Sequence, residues 1–305
     1  MLNNRLLVLV FVSLLPEFAG ALPAVLPPTP AGLTITRDVT YLAQDRKEKL
    51  DIYQKSDRPS KSLSPAVVII HGGGWVGGDK AGEREFVTGT TLAKAGDVCV
   101  SVEYWKGTKG RWPRNLQDCK NAVRWLRVNA ERLQVDPARI GVIGGSAGGH
   151  LALMVAYTAG NIELDPKPLY PGVSDAVSAC VNMYGISDLA TRQSTDGVGN
   201  PTGKIAGTQL FPEALEAATE KWKIASPVSH VRRDCPPTFT LHGTADTTVD
   251  RDQSNELHRA LNAVGAKSTL TLVPGANHAW ALKTAKFDYT GEVVRFFDEH
   301  LKSKD

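Results

Sequence analysis

The chain has 305 residues, 42% of them hydrophobic and 22% charged, with a net charge of +3. That balance suits a globular chain able to bury a large core, and acids and bases scattered along it give no reason to expect a nucleic-acid partner. No period of about 20–50 residues repeats, which excludes solenoid and propeller architectures.

The N-terminus reads as a leader. "MLNNR" carries one positive charge, "LLVLVFVSLL" is apolar, and "PEFAGALPA" follows with small residues. Ala19-Gly20-Ala21 fits a small-x-small cleavage pattern, so residues 1–21 are expected to be a signal peptide. The apolar run is too short to cross a bilayer of about 30 Å as a helix, so export and cleavage are favoured over a retained membrane anchor. No cysteine lies near the cleavage site, which argues against a lipid-anchored form. The expected location is therefore secreted or periplasmic. Export makes Cys99, Cys119, Cys180 and Cys235 eligible for disulfides, and the sequence leaves open whether a pair forms. None of their spacings reads as a zinc site, and no metal is expected.

Residues 22–37, with "LPPTPAG", read as a linker before a domain at 38–305. "ITRDVTYL" and "KLDIYQ" alternate apolar and polar residues, as half-exposed antiparallel strands do. "AVVII", "DVCVSV", "RIGVIG", "DAVSACVNMY", "TFTLHG" and "STLTLV" are short apolar runs suited to parallel strands covered on both faces. Helical patterns lie between them. The clearest is "NLQDCKNAVRWLRVNAERL", where Leu116, Cys119, Val123, Leu126, Ala130 and Leu133 form one stripe. Strand-helix alternation over this length implies a doubly wound α/β sheet in one domain. The stretch 191–223 fits no core strand and reads as a cover or rim beside a site.

Gly144-Gly145-Ser146-Ala147-Gly148 matches G-x-S-x-G, between an apolar strand and a helix-like run. A strand that reverses into a helix within one residue strains the serine backbone and crowds the positions two before and two after it. The hydroxyl is then lifted above the sheet beside the unpaired amides of a helix N-terminus. A structural glycine turn is the plain alternative. A dinucleotide fingerprint is not, because its G-x-G-x-x-G register is missing.

A second motif, His71-Gly72-Gly73-Gly74-Trp75, directly follows a buried strand. Acyl transfer builds charge on a carbonyl oxygen, and glycines let backbone amides approach it. Gly73, Gly74 and Ala147 are the expected oxyanion donors. His71 is expected to shape the loop and Trp75 to wall the site, and both join Tyr104 and Trp280 as expected substrate contacts. "TFTLHGTADTTV" ends a strand and offers Asp246; "LTLVPGANHAW" ends the next and offers His278. Loops at successive strand ends can bring nucleophile, acid and base together in the order Ser, Asp, His. Of the other histidines, His150 shares the serine's helix and is expected to pack locally, and His242 to buttress the acid loop. His258 and His300 are expected in solvent, and His230 near the pocket without a proton-transfer role. Asp250 and Asp252 look like helix-start residues.

"HGGGW", "GGSAGGHLA", "HGTADTTV" and "NHAW", with "DCKNAVRWLR" in place, resemble the α/β-hydrolases of the hormone-sensitive-lipase-like esterases. The resemblance is strongest to secreted bacterial carbohydrate and feruloyl-esterase-like enzymes (BD-FAE-like). It implies a mainly parallel eight-stranded sheet with helices on both faces, and a Ser146–Asp246–His278 triad. It also implies a carboxylic-ester hydrolase without cofactor, acting on short or aromatic acyl esters of small molecules or saccharides, as a monomer or small homo-oligomer. Two departures bear on substrate: "VEYWKGTKG" replaces the family's usual loop from Tyr104 to Trp112, and no long helical cap precedes the first strands. An aryl-formamidase or other amidase, a serine peptidase, and a non-catalytic binding module are the alternatives on this fold.

Overall fold

The computed structural model describes residues 27–58, 63–107, 112–191, 193–195, 201–204, 210, 211 and 213–302. The expected leader therefore lies outside the described residues, as do positions 108–111 of the unusual loop. Chain order runs β1 (Leu33–Val39), β2 (Leu50–Lys55), β3 (Ser64–Ile70), α1 (Glu83–Ala95), β4 (Val98–Val102), α2 (Arg114–Val128), α3 (Ala130–Leu133), β5 (Val135–Gly145) and α4 (Ala147–Tyr157). It continues with β6 (Ala179–Met183), β7 (Gln193–Thr195), β8 (Pro201–Lys204), α5 (Thr219–Ile224), β9 (Thr238–Gly243), α6 (Asp252–Ala263), β10 (Ser268–Val273) and α7 (Thr290–Leu301).

One eight-stranded sheet has the order β1-β2-β4-β3-β5-β6-β9-β10. Its β1–β2 and β2–β4 pairs are antiparallel, and every pair from β4 to β10 is parallel. This is the mainly parallel α/β sheet expected. Alternate residues of each strand feed two cores. Ala66, Val68 and Ile70 of β3 face the core beneath α2, α4 and α6, whereas Val67 and Ile69 face the one beneath α1 and α7. The whole predicted stripe of the α2–α3 region is buried, with a break at Asn129.

Three expectations change. The first strand starts at Leu33, inside the stretch expected to be linker. β2 is not half-exposed, because Leu50 and Ile52 pack into one core and Tyr53 into the other. β10 is not covered on both faces; it is the far edge of the sheet, and most of its side chains are partly open. All four cysteines are buried and free. Of the 191–223 stretch, the described parts are a β7–β8 ribbon, a buried Leu210–Phe211 pair and α5, whose Trp222 meets Phe211 edge to face. No described helix is long and apolar enough to cross a membrane.

Candidate active site

The parallel strands deliver their C-terminal ends to one edge, where crevices form in such sheets. Ser146 is the single residue between β5 and α4, with φ 58° and ψ −124°. Its amide donates to the Met183 carbonyl at 2.9 Å, and its carbonyl accepts from the His150 amide at 3.0 Å. The turn is so tight that a Cβ on Gly144 would lie 2.2 Å from the Gly148 carbonyl oxygen. One on Gly148 would lie 2.1 Å from that of Ile70. The glycines at both flanks follow from that crowding.

Asp246 follows β9. Its Oδ1 accepts the Thr248 and Val249 amides at 2.8 and 2.9 Å, which fixes the carboxylate plane. Its Oδ2 lies 2.6 Å from His278 Nδ1, and His278 Nε2 lies 2.9 Å from Ser146 Oγ. The three predicted loop residues thus meet in one hydrogen-bonded run. Burial alone would push the Asp246 carboxyl up. Hydrogen bonds from His242 and His278, the charge on His278 and the Val249 amide outweigh it, and hold the group well below the usual carboxylate range.

The loop after β3 carries Gly73 and Gly74, both with positive φ. Its far end is moored: Lys80 Nζ reaches Asp51 at 2.7 Å and Asp38 at 2.9 Å, and Lys106 Nζ donates to the Gly78 carbonyl at 2.6 Å. Among the described residues the amides of Gly73 and Gly74 have no acceptor. Ala147 opens α4, so its amide has no carbonyl one turn behind it. These are amides available to an anion.

The four expected substrate contacts are placed elsewhere. His71, Trp75, Tyr104 and Trp280 keep 1%, 2%, 0% and 8% of their surface, so they lie behind the site and do not line it. His71 does shape the loop: Nδ1 donates to the Gly72 carbonyl at 2.7 Å, and Nε2 meets Glu103 at 3.1 Å. Tyr104 stacks on that ring and donates its hydroxyl to the His71 carbonyl at 3.0 Å. Trp75 donates to His150 Nδ1 at 3.2 Å, while His150 Nε2 donates to the Ala225 carbonyl at 2.7 Å. This ties the serine's helix to both the glycine loop and the end of α5. Trp280 packs with Tyr184, Phe287 and Tyr289.

Tyr184 is the residue that sequence reasoning missed. Its ring meets His278 edge to face at 5.0 Å, and its hydroxyl donates to the Trp280 carbonyl. It holds the histidine loop from below. The signal was faint: a tyrosine just past a strand end, whose φ of 42° cannot be read from residue type. His242 buttresses Asp246, as expected. Asp250 accepts the Asp252 amide at the start of α6. His230 bonds to the Ile224 carbonyl. His258 and His300 depart from the solvated positions expected: His258 bonds to Ser268, and His300 is largely covered against Phe296.

A strand–serine–helix turn on the edge of this sheet, with loop residues hydrogen-bonded above it, is the arrangement of an α/β-hydrolase. Solved structures agree. A truncated carbohydrate esterase from gut microbiota superposes with a TM-score of 0.76 at 27% identity, covering 88% of this chain and 97% of that one. Est2, an esterase of Thermogutta terrifontis, gives 0.69 at 27% identity, covering 91% and 96%. Esterase LipQ of Mycobacterium tuberculosis is 30% identical over 264 residues, 86% of this chain and 61% of LipQ. The chain spans about three fifths of the length of this relative and of LipC and LipM from the same organism. The family model BD-FAE matches residues 50–261, and the chain belongs to that family. Ser146 and Asp246 fall inside the matched span; His278 lies beyond it.

Proposed function

We propose that this chain is an exported serine carboxylesterase for short-chain or aromatic acyl esters of carbohydrates. Ser146 attacks the ester carbonyl while His278 Nε2 takes its proton, and Asp246 holds the imidazole in the required tautomer. The amides of Gly73, Gly74 and Ala147 receive the developing oxyanion. The imidazolium then protonates the leaving alcohol, and water activated by the same ring releases the acid from the acyl-enzyme. None of these steps calls for a cofactor.

One observation carries this reading: the run from Asp246 through His278 to Ser146, at 2.6 and 2.9 Å, beside glycine amides that have no acceptor among the described residues. Likeness to a carbohydrate esterase of gut microbiota supports a saccharide ester. Likeness to Est2, solved with butyrate bound, supports a short acyl group. The apolar, small-residue N-terminus supports export, with a mature chain beginning near Leu22.

Replacing Ser146 by Ala should lower turnover of 4-nitrophenyl acetate by about four orders of magnitude. A variant retaining near-normal turnover refutes the nucleophile. Acetylated xylan, feruloyl sugars, formanilides and peptides compared side by side test the choice of ester over amide. N-terminal sequencing of the exported protein tests the cleavage site.

A further inference from the structure

Arg84 stands on the first turn of α1, and its guanidinium lies against the two glycines that flank the floor of the site. A Cβ grown on Gly145 would come within 2.7 Å of its Nη1. One grown on Gly72 would lie 3.1 Å from its Nη2 and 3.2 Å from Ser146 Cβ. Cation and serine are thus separated by little more than the width of a methyl group. At Gly72 any side chain would fill the space between them, and at Gly145 it would run into the guanidinium.

A guanidinium has five N–H donors. Glu85 Oε1 takes those of Nε at 2.8 Å and Nη2 at 2.6 Å, which uses one side of the fork. The Tyr184 hydroxyl, 3.4 Å from Nη1, accounts for one more, and at that length weakly. Two donors at the Nη1–Nη2 end have no acceptor among the described residues. The Arg84 side chain keeps 16% of its surface open, against 5% for Glu85, so the cation and not its counter-ion faces solvent. The end-on fork of an arginine is shaped for a carboxylate held by two parallel hydrogen bonds.

We infer that Arg84 is a specificity residue which recognises an ester bearing a second, free carboxylate close to its scissile carbonyl. The inference rests on Ser146 as nucleophile. The substrate's carboxylate takes the open end of the fork while its ester carbonyl enters the oxyanion site. The positive charge favours anionic esters over neutral ones of the same shape.

The test compares kcat/KM for matched ester pairs in the wild type, Arg84→Gln and Arg84→Lys, by base titration. Monomethyl succinate against methyl butyrate places the carboxylate on the acyl side; 3-acetoxypropionate against propyl acetate places it on the alcohol side. In at least one pair the anionic-to-neutral ratio should fall about ten- to a hundredfold in Arg84→Gln, mostly through KM, with partial recovery in Arg84→Lys. An unchanged ratio in both pairs, or an equal loss on both members, overturns the inference. Calorimetric titration of succinate into the wild type and Arg84→Gln separates this from the catalytic reading. Arg84-dependent succinate binding without turnover of any ester leaves the anion site standing and removes the nucleophile. Ester turnover with no Arg84-dependent preference or binding does the reverse.

Discussion

His242 Nε2 lies 3.4 Å from Asp246 Oδ2, the same oxygen that His278 holds at 2.6 Å. Its Nε2 also faces the Val249 carbonyl at 3.0 Å, and a carbonyl can only accept, so Nε2 carries a proton. Nδ1 is held by the Ser254 hydroxyl at 2.6 Å. The ring is wholly buried and fixes the acid loop by three contacts. Replacing His242 by Leu leaves a buried carbonyl and a hydroxyl without partners, at a cost of about 2–3 kcal/mol in urea melts. Asp246 also loses a donor, so kcat should fall about tenfold with KM little changed. Unaltered kcat in a destabilised variant would confine His242 to a structural role.

Asp246→Asn keeps the shape but presents a group that can donate to His278 Nδ1, which stabilises the wrong tautomer. In serine proteases that exchange costs about four orders of magnitude in kcat, and a loss of similar size is expected here on a nitrophenyl ester. The carboxyl is depressed in the folded state, so its stabilising contribution is present above the ordinary carboxylate range and lost as pH falls through the folded value. Melting curves from pH 7 down to pH 3 should show a steeper acid decline for wild type than for Asp246→Asn. Parallel declines would contradict the bonding described.

Gly73 carries a test of the oxyanion loop. Its φ is +112°, and a Cβ there would lie 2.3 Å from the Gly77 carbonyl group. Alanine cannot be seated without moving the loop, and the amides of Gly73 and Gly74 move with it. The expected outcome for Gly73→Ala is a kcat lower by about 10²–10³, the scale for loss of one oxyanion donor. The buried mooring of the loop at Lys80 should keep the fold intact, checked by circular dichroism. A kcat within threefold of wild type would dissociate this loop from the chemistry.

Much of this geometry was legible because it is dictated locally. A strand-to-helix reversal at Ser146 demands glycines at 144 and 148, and loops that follow adjacent strands bring Asp246 and His278 to the same edge. What was not legible depends on packing at a distance. Trp75, Tyr104 and Trp280 are large, semi-polar and close in sequence to the site, features that suit a pocket wall as well as a support. Only their burial, with the Trp75 and Tyr104 donors bonded inward, decides for support. Likewise "STLTLV" reads as a covered strand until its place at the sheet edge is known. Arg84 drew no notice, since nothing in its sequence neighbourhood tells that α1 lays it beside Ser146.

The cysteines are four separate buried thiols. Burial pushes Cys99, Cys119, Cys180 and Cys235 all upward, so little thiolate forms at neutral pH. A thiol reagent should therefore react slowly with the folded protein and find all four groups after denaturation. The melting temperature should not respond to a reductant. Fewer than four reactive groups in the denatured, unreduced protein would reveal a disulfide.

Asp97, between α1 and β4, has both carboxylate oxygens buried, with no hydrogen-bond partner among the described residues. Loss of solvent pushes it up to about 7; Lys302 opposes the rise and Asp298 adds to it. Lys302 is already engaged by Asp298 at 2.5 Å, so it compensates Asp97 only in part. The sign follows from proton linkage. Between the ordinary carboxylate range and about pH 7 the folded chain holds a proton here that the unfolded chain has released, so stability falls as pH rises through that window and is level above it. Asp97→Asn removes the titration and leaves any penalty of an unpaired amide independent of pH. In urea melts the variant should therefore gain on wild type by about 2–4 kcal/mol between pH 4.5 and pH 8, the size implied by a shift of this order in a mostly buried group. A difference that stays constant across that range would mean that Asp97 finds a partner or water in solution and ionises normally.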